Sequence, residues 1–237
     1  DLAKGRFTIA GFYERRIRRI FPALLVSIAV VLCLVPWLLF PSELKTTGMT
    51  AIAAVASVAN LYLLTSAGYF AGDADTQPLI HMWSLGVEEQ FYLFFPLLLA
   101  LFGIHRLRAA GWAVLGLTAL TFMLCVVVTY LNRDFAYFFP LTRAWELLIG
   151  AVLVFVSVPN LPRLVREIAA FGAVAVIVAG AFKIHAGLYF PGFIALAPCL
   201  GAAALIAVGG AGGSMVSRVL SLPPMLFLGR ISYSLYL

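Results

Sequence analysis

The chain has 237 residues, of which 63% are hydrophobic and 11% charged, with a formal net charge of +6. A soluble domain carries about 25% charged residues, and a mean hydropathy of +1.05 leaves too few polar groups to cover an aqueous surface. Composition thus excludes a soluble globular enzyme. The basic residues stand between apolar runs, where they orient membrane helices rather than form a nucleic-acid surface.

The first stretch, Asp1 to Arg19, is polar, basic and expected at the membrane interface. From Ile20 onward, long runs carry no Asp, Glu, Lys or Arg: 20–42, 46–72, 90–104, 109–132, 147–162, 168–182 and 184–217. A spanning helix needs about 17–25 mostly apolar residues, and in lipid the backbone must satisfy its own polar groups. The sequence therefore predicts an all-α polytopic transmembrane bundle. Helices are expected near 20–40, 50–67, 85–103, 110–131, 143–158, 167–183, 190–209 and from 225 onward, giving about seven to eight membrane helices. A membrane β-barrel would alternate polar and apolar residues, and these runs do not.

The whole span 1–237 reads as a single domain without internal repeats. It begins at Asp1 without a Met and stops inside an apolar segment, so residues are expected to be missing at both ends. Cys33, Cys125 and Cys199 lie far apart in apolar runs, read as packing thiols, and no metal-ligand spacing occurs. His105 and His185 fall in connectors and read as solvated. The longest connector, Gly68 to Trp83, holds Asp73, Asp75 and His81.

Topology has two readings. The Arg15–Arg19 cluster belongs in the cytoplasm. If all the helices cross, Arg106, Arg108, Arg163, Arg166 and Arg218 fall outside. If the 50–67 segment does not fully cross, those arginines fall inside, as the charge rule prefers. Length favours the first arrangement, charge the second.

Four segments carry chemistry. In Phe12-Tyr-Glu-Arg-Arg-Ile-Arg-Arg-Ile-Phe-Pro22, four arginines precede a spanning helix. They read either as a topological anchor or as an anion site, since guanidinium forks suit phosphate. Helical spacing puts Arg16 and Arg19 on one face and Arg15 and Arg18 on another. In His81-Met-Trp-Ser-Leu-Gly-Val-Glu-Glu-Gln-Phe-Tyr92, two carboxylates and a Gln open an apolar helix. Either Ser84 caps that helix and the acids favour its positive end, or at least one of Glu88 and Glu89 has a chemical role. His81 is a candidate base or hydrogen-bond partner. In Phe139-Pro-Leu-Thr-Arg-Ala-Trp-Glu-Leu-Leu-Ile-Gly150, Arg143 and Glu146 are a local ion pair or the polar wall of a cavity. In Leu228-Gly-Arg-Ile-Ser-Tyr-Ser-Leu-Tyr-Leu237, Arg230 either snorkels or joins Ser232, Tyr233 and Ser234 in a polar lining.

Taken in order, these segments resemble membrane-bound acyltransferase family 3, in the branch that O-acylates surface polysaccharides. The matching patterns are Phe-Tyr-x-Arg-Arg-x-x-Arg-Ile-x-Pro, His-x-Trp-Ser-Leu-x-Val-Glu-x-Gln-Phe-Tyr, Arg-x-Trp-Glu-Leu-x-x-Gly and Leu-Gly-x-Ile-Ser-Tyr-Ser-Leu-Tyr-Leu. The second is the most specific. The resemblance implies a bundle of about ten helices in a bacterial inner membrane, working with lipid, acyl-CoA and a saccharide acceptor. It implies no resident cofactor or metal, with acyl-CoA (acetyl-CoA) as co-substrate.

Its Arg-x-x-Arg pattern falls on Arg16 and Arg19 as donor-binding residues, and its acidic region on Glu88 and Glu89 as catalytic candidates beside His81. Trp83, Ser84, Arg143, Glu146, Arg230 and Tyr233 are expected to bind substrate or donor. The family also carries an Arg and a catalytic His in a first helix. This chain begins after that region, so the main catalytic His is expected upstream of Asp1. The resemblance implies polysaccharide O-acetylation. The alternative is a transporter or flippase for a lipid-linked sugar, which also places ionisable residues inside a bundle.

Overall fold

The computed structural model describes residues 8–66, 77–101, 107–156, 161–184 and 189–237. Asp73, Asp75, His105, Arg106 and His185 lie outside the described residues. The helices are α1 (Ile9–Leu38), α2 (Pro41–Val55), α3 (Ala59–Ser66), α4 (Met82–Leu101), α5 (Leu107–Leu131), α6 (Arg133–Phe138), α7 (Pro140–Val152), α8 (Arg163–Lys183), α9 (Leu196–Gly210), α10 (Met215–Leu220) and α11 (Pro223–Tyr236). Among the described residues there is no strand. Among the described residues, four helical stretches are long and apolar enough to cross a membrane: Ile9–Leu38, Arg108–Leu131, Arg163–Lys183 and Phe193–Gly210.

The chain divides into two compact units, residues 1–96 with 231–237 and residues 97–230. In the first unit, α1 starts where Thr8 caps it, its side chain accepting from the Gly11 amide at 3.2 Å. From Ile9 to Arg19, the basic stretch expected at the interface is thus the opening of a 30-residue helix. At 1.5 Å per residue this helix is about 45 Å long, more than the ~30 Å hydrocarbon core. Its charged turns can therefore lie among headgroups while its apolar turns span. Ile20, Leu24, Ile28 and Val35 face inward, whereas Val26, Val30, Leu34 and Trp37 are exposed. Both faces are apolar, as a helix between a protein core and lipid requires. The inward face packs against Ala51, Ala53 and Ala54 of α2, Ala59 of α3, and Leu79, Met82 and Leu85. These small side chains let helices approach closely.

The expected single helix over 50–67 is corrected: it is broken at residues 56–58. The Ser57 amide donates to the Ala54 carbonyl and the Val58 amide to the Ala53 carbonyl. This is the paired bonding of a Schellman ending, with Ser57 at φ 59 in the left-handed position that glycine usually fills. Across the break lies α4. Gln90 donates to the Ser57 carbonyl at 2.8 Å and to Asn60 Oδ1 at 2.9 Å. Asn60 is fully buried. A Cβ at Gly86 would sit 2.6 Å from Asn60 Oδ1, so only glycine admits that amide against α4.

In the second unit, Trp145 is fully buried with Cys125 and Ala195, and Phe122, Ile149, Phe190 and Cys199 pack around them. Two of the cysteines thus pack as expected. Cys33 instead is exposed, on the outer side of α1.

Candidate active site

In the first unit, the first and second functional segments and the end of the fourth converge through side chains that are far apart in sequence. Arg16, in the second turn of α1, meets Glu89 of α4 in a two-pronged pair. Its Nε lies 3.0 and 2.9 Å from the two carboxylate oxygens, and its NH2 lies 2.7 Å from Oε1. The side chains are 19% and 17% exposed. The guanidinium also stacks on Tyr92, 3.4 Å from the ring centroid. A planar fork suits a carboxylate and an aromatic face together, which a lysine would not. Nearby, Tyr13 donates to the Leu93 carbonyl at 2.6 Å. That carbonyl lies beside the gap in the α4 ladder left by Pro96, which has no N–H.

The C-terminal segment closes on the same helices. Tyr236 donates to the His81 carbonyl and shares a hydrogen bond with the Ser84 hydroxyl. Its ring stands edge-on to His81 at 5.5 Å. Tyr233 donates to the Ile20 carbonyl of α1 at 3.2 Å. Ser84 is therefore not the cap of α4, which begins at Met82; it bonds to α11 from within the first turns. His81 Nε2 is buried with no hydrogen-bond partner among the described residues. Trp83 is buried, while Glu88 is exposed one position before the paired Glu89.

The expected sharing of one face by Arg16 and Arg19 resolves into two environments. Arg16 is half-buried on Glu89 and Tyr92, whereas Arg19 is exposed. Arg18 pairs with Glu14 at 2.7 Å on the exposed side. The residues that sequence reasoning passed over are Asn60, Gln90, Tyr13 and Tyr236. Asn60 carried a signal, being the one amide in the apolar run 46–66.

The second unit holds the third segment. Arg143 and Glu146 lie 2.9 Å apart on α7, with side chains 12% and 20% exposed. The Arg143 guanidinium stands 5.6 Å from the Tyr137 ring and 5.2 Å from the Phe190 ring. Trp145 between them points into the core, edge-on to Phe122 at 4.9 Å. Arg230 is exposed. Among the described residues, no group of three His, Cys, Asp or Glu side chains could hold a metal ion.

Apolar spanning helices with ionisable residues paired near their ends define a polytopic membrane protein built around polar sites, since isolated charges there are costly. This chain belongs to the acyltransferase family whose domain matches residues 2–237. It is 28% identical over 220 residues to an uncharacterized protein of Haemophilus influenzae, covering 87% of this chain and 89% of that one. It is 30% identical over 236 residues to BcsY of Komagataeibacter xylinus, which carries a transacylase name, covering 100% and 60%. It is 31% identical over 253 residues to O-acetyltransferase OatA of Staphylococcus aureus, covering 98% and 40%. The chain thus spans 60% of BcsY and 40% of OatA. No solved structure matches it.

Proposed function

We propose that the protein transfers an acyl group, acetyl by its likeness to OatA, from acyl-CoA to a hydroxyl of a cell-surface or lipid-linked saccharide. The observation that carries this reading is the acyltransferase family match over residues 2–237. On it rest three further parts of the proposal. Both compact units act as one acyltransferase domain. The helical segments make a bundle of about seven to eight membrane helices. The protein is a multi-pass component of a bacterial inner membrane.

The roles follow from the exposure and pairing of each side chain. Arg19, exposed a turn beyond Arg16, attracts the phosphates of the acyl-CoA donor. Arg16 is held by Glu89, so it orients α1 against α4 and positions the donor side of the site. The saccharide hydroxyl attacks the thioester carbonyl, a C–O bond forms, and the C–S bond breaks. The hydroxyl proton passes to a base, with the exposed Glu88 and the unpartnered His81 Nε2 as its candidates, and ends on the departing thiolate. Trp83, Ser84 and Tyr233 shape the acceptor side, and Arg143, Glu146 and Arg230 contribute polar contacts to substrate. The flippase alternative has no observation in its favour, and the family match points to group transfer.

The test incubates the full-length protein, reconstituted in vesicles, with labelled acetyl-CoA and surface glycan. Label is expected in the glycan as an ester released by mild base. Movement of a lipid-linked sugar between leaflets without labelling would sink the proposal in favour of transport.

A further inference from the structure

The arginines that open α8 have no part in the reaction proposed above, yet they line a formed cavity. Arg163, Arg166 and Arg218, with Ser214, Ser217 and Ser221, surround about 440 Å³ between the start of α8 and the turn joining α9 to α10. A second cavity of about 520 Å³ shares Arg163, Glu167 and Arg218, and is otherwise lined by Phe171, Met215, Val219 and Leu222. The two adjoin through the shared residues. Together they make a groove that is basic and hydroxyl-rich at one end and apolar at the other.

The basic end is fixed in place. Arg166 donates to the Ala211 carbonyl at 2.7 Å. The next residue, Gly212, has φ +102, and a Cβ there would collide with the Arg166 guanidinium. The one acid in the groove, Glu167, is already engaged: its carboxylate accepts from the Met215 amide at 3.1 and 2.9 Å. Three guanidinium groups therefore face a single, occupied carboxylate. Arg166 Nε is buried with no hydrogen-bond partner among the described residues.

Position selects the ligand. Arg163 is the first residue of a stretch able to cross a membrane, so the arginines stand where headgroups lie. Leu164, Ile168 and Phe171, on the same turns, are exposed as lipid-facing residues would be. Basic pockets between membrane helices suit anionic headgroups, and guanidinium forks suit phosphate oxygens. We propose that this groove holds an anionic phospholipid. Its phosphate sits among Arg163, Arg166 and Arg218, and an acyl chain lies along Phe171, Val219 and Leu222.

The full-length protein, purified in detergent, is titrated with phosphatidylglycerol or phosphatidylcholine, and bound lipid is counted by native mass spectrometry. Phosphatidylglycerol is expected to be retained in preference. Arg163→Gln and Arg218→Gln, both exposed positions, are each expected to weaken it about fivefold, at roughly one charge's worth of surface attraction apiece. Val219→Asn, which keeps every arginine and adds no charge, should weaken the lipid and leave binding of inorganic phosphate unchanged. Equal retention of the two lipids, or unchanged affinity in the double arginine variant at native elution volume, overturns the proposal. So does displacement of the lipid by free coenzyme A or inorganic phosphate at equal concentration, which would make the groove a site for soluble phosphates. Should an arginine variant lose its native elution profile, the Val219→Asn and competition arms decide.

Discussion

Arg16 and Arg19 are three residues apart, carry the same charge, and do different work. Arg16 makes a two-pronged pair with Glu89, while Arg19 stays exposed. Removing one partner of a fully buried pair costs about 3–5 kcal/mol. With nearly a fifth of each side chain exposed, Arg16→Ala is expected to cost about 2–3 kcal/mol by the same reasoning. A double-mutant cycle with Glu89→Ala, read by thermal unfolding in detergent, should return a coupling of more than about 1 kcal/mol, within the range of about 0.5–3 kcal/mol for contacting pairs. Arg19→Ala should leave stability within about 0.5 kcal/mol but raise the KM for acyl-CoA. An unchanged KM removes Arg19 from the donor site. Arg143→Lys keeps its charge but loses the flat guanidinium beside Tyr137 and Phe190. It should cost about 1 kcal/mol, seen as a lower unfolding temperature. In each motif the residues were readable from sequence. The local Arg143–Glu146 pair was readable too, but distant partners were not: Arg16 and Glu89 lie 73 positions apart, and which face of a helix meets which neighbour depends on its rotation about its own axis.

The broken helix between α2 and α3 is the feature that the element scale adds. An L-residue in the left-handed region costs about 1–2 kcal/mol, so Ser57→Gly should raise stability by up to about 1 kcal/mol, less glycine's own entropic cost. Gln90→Leu removes the donor to the Ser57 carbonyl and to Asn60 Oδ1. It should cost about 1–3 kcal/mol for each polar group left unsatisfied. Gly86→Ala, which drives a Cβ into Asn60 Oδ1, should cost about 1–3 kcal/mol as overpacking does. Thermal unfolding of the three variants separates these effects; a Gln90→Leu protein as stable as the parent would show that the α4 amide does not hold the break. Sequence placed a helix here because the run has no proline and no charge. The ending is made instead by backbone hydrogen bonds and by a glutamine on another helix, and neither leaves a mark in hydropathy.

Across the whole molecule, the positions of the helices follow from apolar runs and their punctuation: among the described residues each expected segment contains helix, with the 50–67 segment broken in two. How many of them cross does not follow as directly. Four described stretches satisfy length and composition for spanning, and α2, α3 and α7, at 15, 8 and 13 residues, are each too short to do so alone. The proposed reaction makes a prediction at this scale. Glu88→Gln and His81→Gln should each leave membrane insertion and elution unchanged. The variant that removes the base should lower kcat by about 10²–10⁴-fold, the usual worth of a positioned base, with the donor KM little affected. If neither lowers kcat, the base lies elsewhere in the protein.

The sequence by itself determined that this is a helical membrane protein. A chain in lipid must present long uncharged runs and satisfy its backbone within each helix, and that requirement is written in composition. It also marked which residues are chemically unusual there, because charge in an apolar setting persists only where something holds it. The tertiary structure decided what holds each one. Arg16 is neutralised by Glu89, Tyr236 reaches His81 and Ser84, and Gln90 latches a break that hydropathy reads as continuous. Those outcomes depend on which helix faces meet and how closely, and small residues such as Ala54 and Gly86 set that distance without announcing it in the sequence.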